Sequence, residues 1–169
     1  TTHFCPEGYY TPTMKPGSEP CRRATVSMPG QPALAVVDWQ GASALRFAVP
    51  EGQRDWSEAV AISLRVAVDP LSELNAKDKH QTFTVRVTDG QGQTATAKTR
   101  PDEPALRFPA GEVEEDAMFG PMFTGKAPLT TVRVLRSQLP GVNWADVSEV
   151  ALMFEGTGAL FLADVEVVR

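Results

Sequence analysis

The residues best suited to acid–base or nucleophilic chemistry are few in this sequence. There are two histidines, His3 near the start and His80 within the charged stretch KDKHQ. The sequence has no Gly-x-Ser-x-Gly nucleophile turn, no His-Glu-x-x-His zinc motif, no glycine-rich phosphate loop and no Cys-x-x-Cys pair. Acidic residues are plentiful, but their spacing does not single out the carboxylate pair of a glycosidase. We therefore expect a protein that is not an enzyme.

The two cysteines, Cys5 and Cys21, enclose the segment CPEGYYTPTMKPGSEPC, which has no apolar period and therefore no core of its own. A disulfide between them would close a loop of roughly fifteen residues and contribute about 3 kcal/mol in the chain-entropy account. Free thiols or a metal pair are the alternatives, although two cysteines without clustered histidines make a poor zinc site. We predict a structural disulfide and hence a secreted protein, because such bonds persist in oxidising compartments.

Four arginines are candidates for ligand binding because each occupies the outward position of an alternating stretch. They are Arg46, Arg65, Arg86 and Arg133. If their strands share one sheet, the guanidinium groups form a cationic row that suits carboxylates or phosphates, including uronic acids or the acidic surface of a partner. If consecutive strands belong to opposite sheets, the row is split. The alternative is that each arginine is a solvated residue paired with a nearby acid.

The tryptophans are the other candidates, because aromatic rings stack on the apolar faces of sugars. Trp39, in VVDWQG, follows a strand and precedes a turn, so we predict that it forms an exposed platform for a saccharide. Trp56 and Trp144 stand at strand entrances, where a ring is expected to plug the end of the fold.

Residues 109–128, PAGEVEEDAMFGPMFTGKAP, show no alternation and form a long connection for a compact domain. Four large apolar residues of this segment must be covered: Met118, Phe119, Met122 and Phe123. They either cap the open end of the fold or contact a neighbouring catalytic domain or ligand. Met and Phe suit adaptable protein contacts, so we expect a partner contact here.

The elements that must position these residues are short strands. Period-two alternation predicts strands over 44–49, 61–68, 82–88, 130–135, 149–155 and 159–168, and more weakly over 33–37, 93–98 and 105–108. DGQG at 89–92 predicts a hairpin, and residues 54–60 and 143–150 are compatible with one or two helical turns. The pattern predicts an all-β fold: a two-sheet antiparallel β-sandwich over 33–169, after an irregular, Pro-rich, disulfide-stapled extension over 1–32.

The order of these pieces resembles the galactose-binding-like jelly-roll modules of secreted bacterial enzymes, which include many calcium-containing carbohydrate-binding modules. The resemblance lies in DWS followed by ISLRV, in Asp89 to Gly92, in the stretch to Leu139 and Val142, and in the final strand from Gly158 to Val167. It covers about residues 33–169. It implies a non-catalytic, secreted carbohydrate-binding accessory domain appended to a hydrolase. The second hypothesis is a docking domain that packs on its parent catalytic domain and has no glycan affinity.

The resemblance also implies a structural calcium. Asp164, in LFLADVEV, breaks an apolar strand at a place where the resembling modules often carry a calcium ligand. Calcium takes about six to eight oxygens, so backbone carbonyls and Asp38 would supply the others, the choice of Asp38 being our own addition. The alternative is that Asp164 is held by a hydrogen bond or displaced at a bulge, because a bare buried carboxylate is costly.

Composition excludes other partners. The chain carries 16 Lys+Arg against 21 Asp+Glu, a net charge of −5, which argues against a nucleic-acid or anionic-membrane surface. No stretch of about 18 consecutive apolar residues is present, so we expect no membrane span.

Overall fold

The computed structural model describes residues 35–77, 79–114 and 122–169, which form two four-stranded antiparallel sheets and a short two-stranded ribbon. The strands are β1 (Ala35–Gln40), β2 (Ser43–Ala48), β3 (Ala61–Val68), β4 (Phe83–Asp89), β5 (Thr94–Lys98), β6 (Val113–Glu114), β7 (Met122–Phe123), β8 (Thr130–Leu135), β9 (Val147–Phe154) and β10 (Thr157–Val168). Sheet A has the order β1-β10-β3-β8, sheet B has the order β2-β9-β4-β5, and β6 pairs with β7. The all-β prediction is confirmed, whereas the predicted extension over 1–32, with Cys5 and Cys21, lies outside the described residues.

The alternating stretches become strands because their apolar positions face the space between the two sheets. On β2, Leu45 and Phe47 are buried while Arg46 between them is exposed, and β4 repeats the pattern with Val85 and Val87. β3 is buried at almost every position because it is an interior strand of sheet A. One apolar core therefore holds the sandwich together.

Three expected elements differ in the structure. Residues 143–150 do not form helical turns, because a turn leads directly into β9, which begins at Val147. Residues 105–108 are not a strand, because Pro104 begins a 3₁₀ turn (Pro104–Leu106) and has no N–H to give to a ladder. Residues 54–60 do not form a helix but a loop, whose Trp56 N–H donates to the carbonyl of Trp144 at 2.7 Å. A 3₁₀ turn (Glu51–Gln53) comes just before this loop, and another (Arg136–Gln138) follows β8. No helix among the described residues is long and apolar enough to cross a bilayer.

The predicted hairpin at DGQG joins β4 to β5 and is organised by a buried carboxylate. Asp89 is 2% exposed, and its side chain accepts hydrogen bonds from the N–H groups of Gln91 and Gln93, both at 2.9 Å, and of Asn143 at 3.0 Å. These hydrogen bonds hold the pKa of Asp89 below its ordinary value of 3.8, and the bond from Asn143 has the largest effect. Burial of the carboxylate acts in the opposite direction and raises the pKa. Ionised Asp89 therefore stabilises the folded state fully when the pH is above the ordinary pKa. This stabilisation is lost as the pH falls through the lower pKa of the folded protein.

A second buried polar group closes one end of the sandwich. Asn75, in the connection between β3 and β4, donates from Nδ2 to the carbonyls of Asp69 and Ala159, both at 2.8 Å. Its Oδ1 accepts from the Ala159 N–H at 3.0 Å and from Nε2 of Gln81 at 2.7 Å. The Asn75 amide thus ties the β3–β4 connection to β10 with all four of its bonds made.

Candidate functional site

Trp39 is not an exposed platform, so this prediction is wrong. Its ring is 0% exposed, stacks on Phe154 with ring centroids 4.4 Å apart, and donates from Nε1 to the carbonyl of Glu155 at 3.1 Å. The reason is the residue opposite in the sheet, Gly158, which has no side chain and leaves room for the indole. Trp39 is a core residue.

The two sheets separate the four candidate arginines into pairs, so the single cationic row does not form. Arg46 on β2 and Arg86 on β4 project from the outer face of sheet B, and Arg65 on β3 and Arg133 on β8 from the outer face of sheet A. The row required all four strands to share one sheet. The structure instead has the alternative arrangement, in which the arginines are divided between the two sheets.

Arg46 and Arg86 share one carboxylate on the outer face of sheet B. Arg46 Nη1 lies 3.3 Å and Arg86 Nη2 3.0 Å from Oε1 of Glu149, which is on the intervening strand β9. These guanidinium groups are therefore partly neutralised, as expected of surface arginines paired with a nearby acid.

Asp164 lies in a β-bulge of β10 and is paired with Arg65. The register between β10 and β3 shifts between Ala163 and Glu166, and Asp164 has a φ of +47°, a left-handed conformation that Asp tolerates better than most residues. Its Oδ2 accepts from Arg65 Nε at 2.6 Å and from Nη2 of the same side chain. The sequence predicts that Asp164 is either paired with another group or displaced at a bulge, and the structure shows both.

Asp38 and Asp164 do not fit one shared calcium site. Asp38 lies opposite Ala159, and Asp164 is five residues further along β10, so at about 3.3 Å per residue roughly 16 Å of strand separates them. The described residues contain no group of three or more His, Cys, Asp or Glu that could hold a metal ion. Calcium bound by Asp164 and backbone carbonyls stays a prediction, although the Arg65 guanidinium already contacts this carboxylate.

We expect Asp164→Ala to lower the free energy of unfolding by about 2 kcal/mol, of which about 1 is the Arg65 pair and about 1 the left-handed backbone. Asp164→Asn should lose only the first part, because Asn tolerates this conformation. Urea denaturation measures the loss in each variant, and thermal unfolding with and without chelator measures the Tm. Equal losses in the two variants would contradict the backbone argument, and a chelator-dependent Tm that calcium restores in the wild type only would establish calcium binding.

Of the four apolar residues predicted to contact a partner, Met118 and Phe119 lie outside the described residues. The backbone of Met122 pairs with Glu114 in the β6–β7 ribbon. Phe123 is half-buried, and a Cβ added to Gly111 or Gly125 would lie 2.6 or 2.7 Å from its Cζ. The Phe123 ring thus packs on two glycines of its own ribbon, and contact with a partner stays a prediction.

A groove opens between the sheets where β2 faces the second half of β10. β1 pairs with β10 only as far as Leu162, and in the described part of the chain the residues from Ala163 to Val168 have β3 as their one partner strand. The cavity has a volume of about 630 Å³, within the range of ligand-binding clefts. We call it the Trp56 groove and define it by its apolar floor and wall (Phe47, Ile62, Val150, Val165, Val167 and Trp56) and its polar rim (Gln53, Asp55, Ser57, Glu58, Glu166 and Arg169).

The Trp56 indole is held firmly at the wall of this groove. Its Nε1 donates to the carbonyl of Gln53 at 2.8 Å, its ring tilts against that of Trp144 with centroids 6.5 Å apart, and 9% of the residue stays exposed. Trp56 and Trp144 are both largely buried, as predicted for rings at strand entrances. Trp56 additionally lines the groove.

The rim of the Trp56 groove is acidic. The Asp55 carboxylate accepts bonds from the hydroxyl of Ser57 at 2.7 Å and from its N–H at 3.0 Å, which are the main reasons why the pKa of Asp55 lies below its ordinary value. Glu58 and Glu166 add two exposed carboxylates, and Arg169 supplies the one guanidinium among the lining residues. The groove thus offers an apolar floor, ionised acceptors and a few donors.

The chain has the two-sheet β-sandwich fold of a jelly roll. It is similar to a family 11 carbohydrate-binding module from Clostridium thermocellum, solved in complex with a beta-1,3-1,4-mixed-linked tetrasaccharide, with a TM-score of 0.51 and 9% sequence identity over 80% of this chain and 75% of that chain. No protein-family profile and no curated protein matches the sequence. At this identity the likeness concerns the fold, and at that level it confirms the resemblance inferred from the sequence.

The residues of the Trp56 groove carried only a weak signal in the sequence. DWS is one of the motifs that carry the resemblance to jelly-roll modules, and its Asp55–Ser57 turn shapes one side of the groove. Glu166 and Arg169 belong to a strand far along the chain, and no local pattern connects them to Trp56. Only the pairing of the strands brings the two segments together.

Proposed function

We propose that this chain is a non-catalytic carbohydrate-binding domain and that the Trp56 groove is its binding site. The observation that carries the proposal is the composition of the groove: the 9% exposed Trp56 beside an apolar floor, bordered by carboxylates, an amide and a guanidinium. Sugars present apolar C–H faces and rings of hydroxyl groups, which such a surface contacts by stacking and by charge-assisted hydrogen bonds. The jelly-roll fold, shared with a module solved in complex with a tetrasaccharide, supports the same proposal.

Each part of the groove has a separate role in this proposal. The apolar wall and floor of the groove receive the C–H face of a sugar ring, at the part of Trp56 that stays exposed. The carboxylates of Glu58 and Glu166 accept hydrogen bonds from sugar hydroxyls, and the Arg169 guanidinium donates to them. Because the groove is open along the edge of the sandwich, it suits a stretch inside a polysaccharide as well as a chain end.

We expect Gly52→Trp to reduce polysaccharide binding at least about tenfold, a loss of about 1.4 kcal/mol of binding free energy. Gly52 lines the groove, and a Cβ added there meets nothing within 4 Å, so the new ring fits the folded protein but occupies the space of the ligand. Affinity electrophoresis against a panel of soluble polysaccharides, including mixed-linked β-glucan, measures the effect.

Matched variants separate blocking of the groove from damage to the fold. Gly52→Ala should bind like the wild type, and Glu58→Ala with Glu166→Ala should weaken binding by removing hydrogen-bond acceptors. Glu73→Ala with Glu112→Ala, two exposed acids that do not line the groove, serves as the charge control. If no polysaccharide retards the wild type, or if Gly52→Trp binds as well as Gly52→Ala, the proposal fails.

We also propose that the protein is secreted, that Cys5 and Cys21 form a disulfide, and that the domain is appended to a hydrolase. The support is the sequence of the N-terminal segment and the resemblance to modules of secreted bacterial enzymes. We expect reduction of the native protein to raise its mass by one hydrogen on each cysteine. Intact-mass measurement before and after reduction checks this, and two free thiols under non-reducing conditions would contradict the disulfide.

One observation favours the second candidate function, docking on a parent catalytic domain. Val60 and Leu135 are 56% and 49% exposed, and they lie together because the Arg136 N–H donates to the carbonyl of Val60 at 2.9 Å. Exposed apolar side chains of this size suit a protein contact. Docking through Val60 and Leu135 would be unaffected by Gly52→Trp, which distinguishes it from carbohydrate binding.

A further inference from the structure

A second groove lies on the opposite edge of the sandwich, between β5 of sheet B and β8 of sheet A. Its volume is about 640 Å³. Val132 and Val134 form its floor, and Thr131 and Gln138 contribute a hydroxyl and an amide. We call it the β5–β8 groove. It shares no lining residue with the Trp56 groove.

The β5–β8 groove is cationic in a protein whose net charge is −5. Three cations line it, Lys98, Arg100 and Arg133, against one acid, Glu103. Glu103 is already engaged, because Arg100 Nη2 lies 3.3 Å from its Oε2. In the described part of the chain no salt bridge involves Lys98 or Arg133. Two exposed positive charges are therefore available to a ligand.

The placement of these two charges selects the kind of anion. Lys98 pairs in register with Thr84 and projects outward from sheet B, whereas Arg133 pairs with Ser63 and projects outward from sheet A. Packed sheets lie about 10 Å apart, so the ammonium and the guanidinium stand on opposite rims of the groove. A single small anion cannot contact both, but an extended ligand with repeated anionic groups can.

We propose that the β5–β8 groove binds a carboxylated polysaccharide, that is, a chain containing uronic acids. The Arg133 guanidinium matches a planar carboxylate with two parallel hydrogen bonds, and the Lys98 ammonium attracts a second carboxylate of the chain. Thr131 and Gln138, which also line the groove, offer a hydroxyl and an amide to sugar hydroxyls. The choice of a polysaccharide over an acidic protein rests on the proposed function, whereas the anion-binding site itself rests on the exposed charges of Lys98 and Arg133.

The test compares polygalacturonate with the same polymer after its carboxyl groups have been reduced to alcohols. We expect the wild type to bind the acidic polymer more tightly and to lose that difference as the salt concentration rises, because exposed charges are screened. The double variant Lys98→Gln with Arg133→Gln should lose roughly fivefold to tenfold in affinity for polygalacturonate. It should bind mixed-linked β-glucan like the wild type.

The control is Lys79→Gln with Arg107→Gln, which makes the same change in net charge at exposed residues outside the groove. An equal loss in this control, or equal binding of both polymers by the wild type, would overturn the inference. So would loss of polygalacturonate binding in Gly52→Trp, which would place the anion in the Trp56 groove. Binding of polyglutamate but not polygalacturonate, dependent on Lys98 and Arg133, would overturn it in favour of an acidic protein. Failure of the Trp56 proposal alone would appear as wild-type protein that does not bind β-glucan but still binds polygalacturonate through Lys98 and Arg133.

Discussion

Trp39→Ala should lower the free energy of unfolding by about 4 kcal/mol, the largest effect that we expect from any single substitution in this domain. The indole is fully buried, stacks on Phe154 and satisfies the carbonyl of Glu155. Gly158→Val should also destabilise, by about 2 kcal/mol, because the added Cβ would lie 2.6 Å from Oε1 of Gln81 and closer still to Cζ2 of Trp39.

The double variant decides whether these residues share one space. In Trp39→Ala with Gly158→Val, the valine side chain enters the cavity left by the indole, so the combined loss should be smaller than the sum of the single losses by at least about 1 kcal/mol. Urea denaturation of the four proteins gives this coupling. Strict additivity would contradict the packing. Trp39→Phe should keep the affinity for polysaccharide, whereas a lost affinity with an intact fold would restore Trp39 as a ligand platform.

Asn75→Ala should lower the free energy of unfolding by about 3 kcal/mol, or the Tm by about 10 °C. The substitution leaves the N–H of Ala159 without its acceptor and Gln81 without its main partner, both in the closed end of the sandwich. Differential scanning calorimetry measures the shift.

The comparison for Asn75 is Gln91→Ala, which removes an exposed amide at the tip of the β4–β5 hairpin and should change the Tm by little. If Asn75→Ala lost no more than Gln91→Ala, water would be satisfying the Ala159 N–H. The role of Asn75 as a link between the β3–β4 connection and β10 would then be wrong.

The strands were predictable because the signal for a strand is local. Alternation at Leu45, Arg46 and Phe47 shows which side chains face the core without any knowledge of the partner strand. The same reasoning failed for Trp39, because the space for its ring depends on Gly158, which lies far along the chain. It also left the four arginines undecided, since outward alternation does not say to which sheet a strand belongs.

The candidate site was less predictable than the fold for a related reason. Asp55 and Trp56 come from the loop before β3, and Glu166 comes from the last strand, so the Trp56 groove exists only after the sheets have closed. No sequence pattern singles out Lys98 at the end of β5. It becomes important only because β8 brings Arg133 to the same edge.

The two grooves place charges of opposite sign at opposite edges of the described sandwich. The Trp56 groove carries Asp55, Glu58 and Glu166 at one edge, and the β5–β8 groove carries unpaired cations at the other. A field of this kind orients a protein before contact and raises its association rate at low ionic strength. Near an acidic polymer the domain would arrive with its β5–β8 edge first and with the Trp56 groove turned away from the surface. Held in this orientation, one domain could bridge an acidic matrix and a neutral chain beside it.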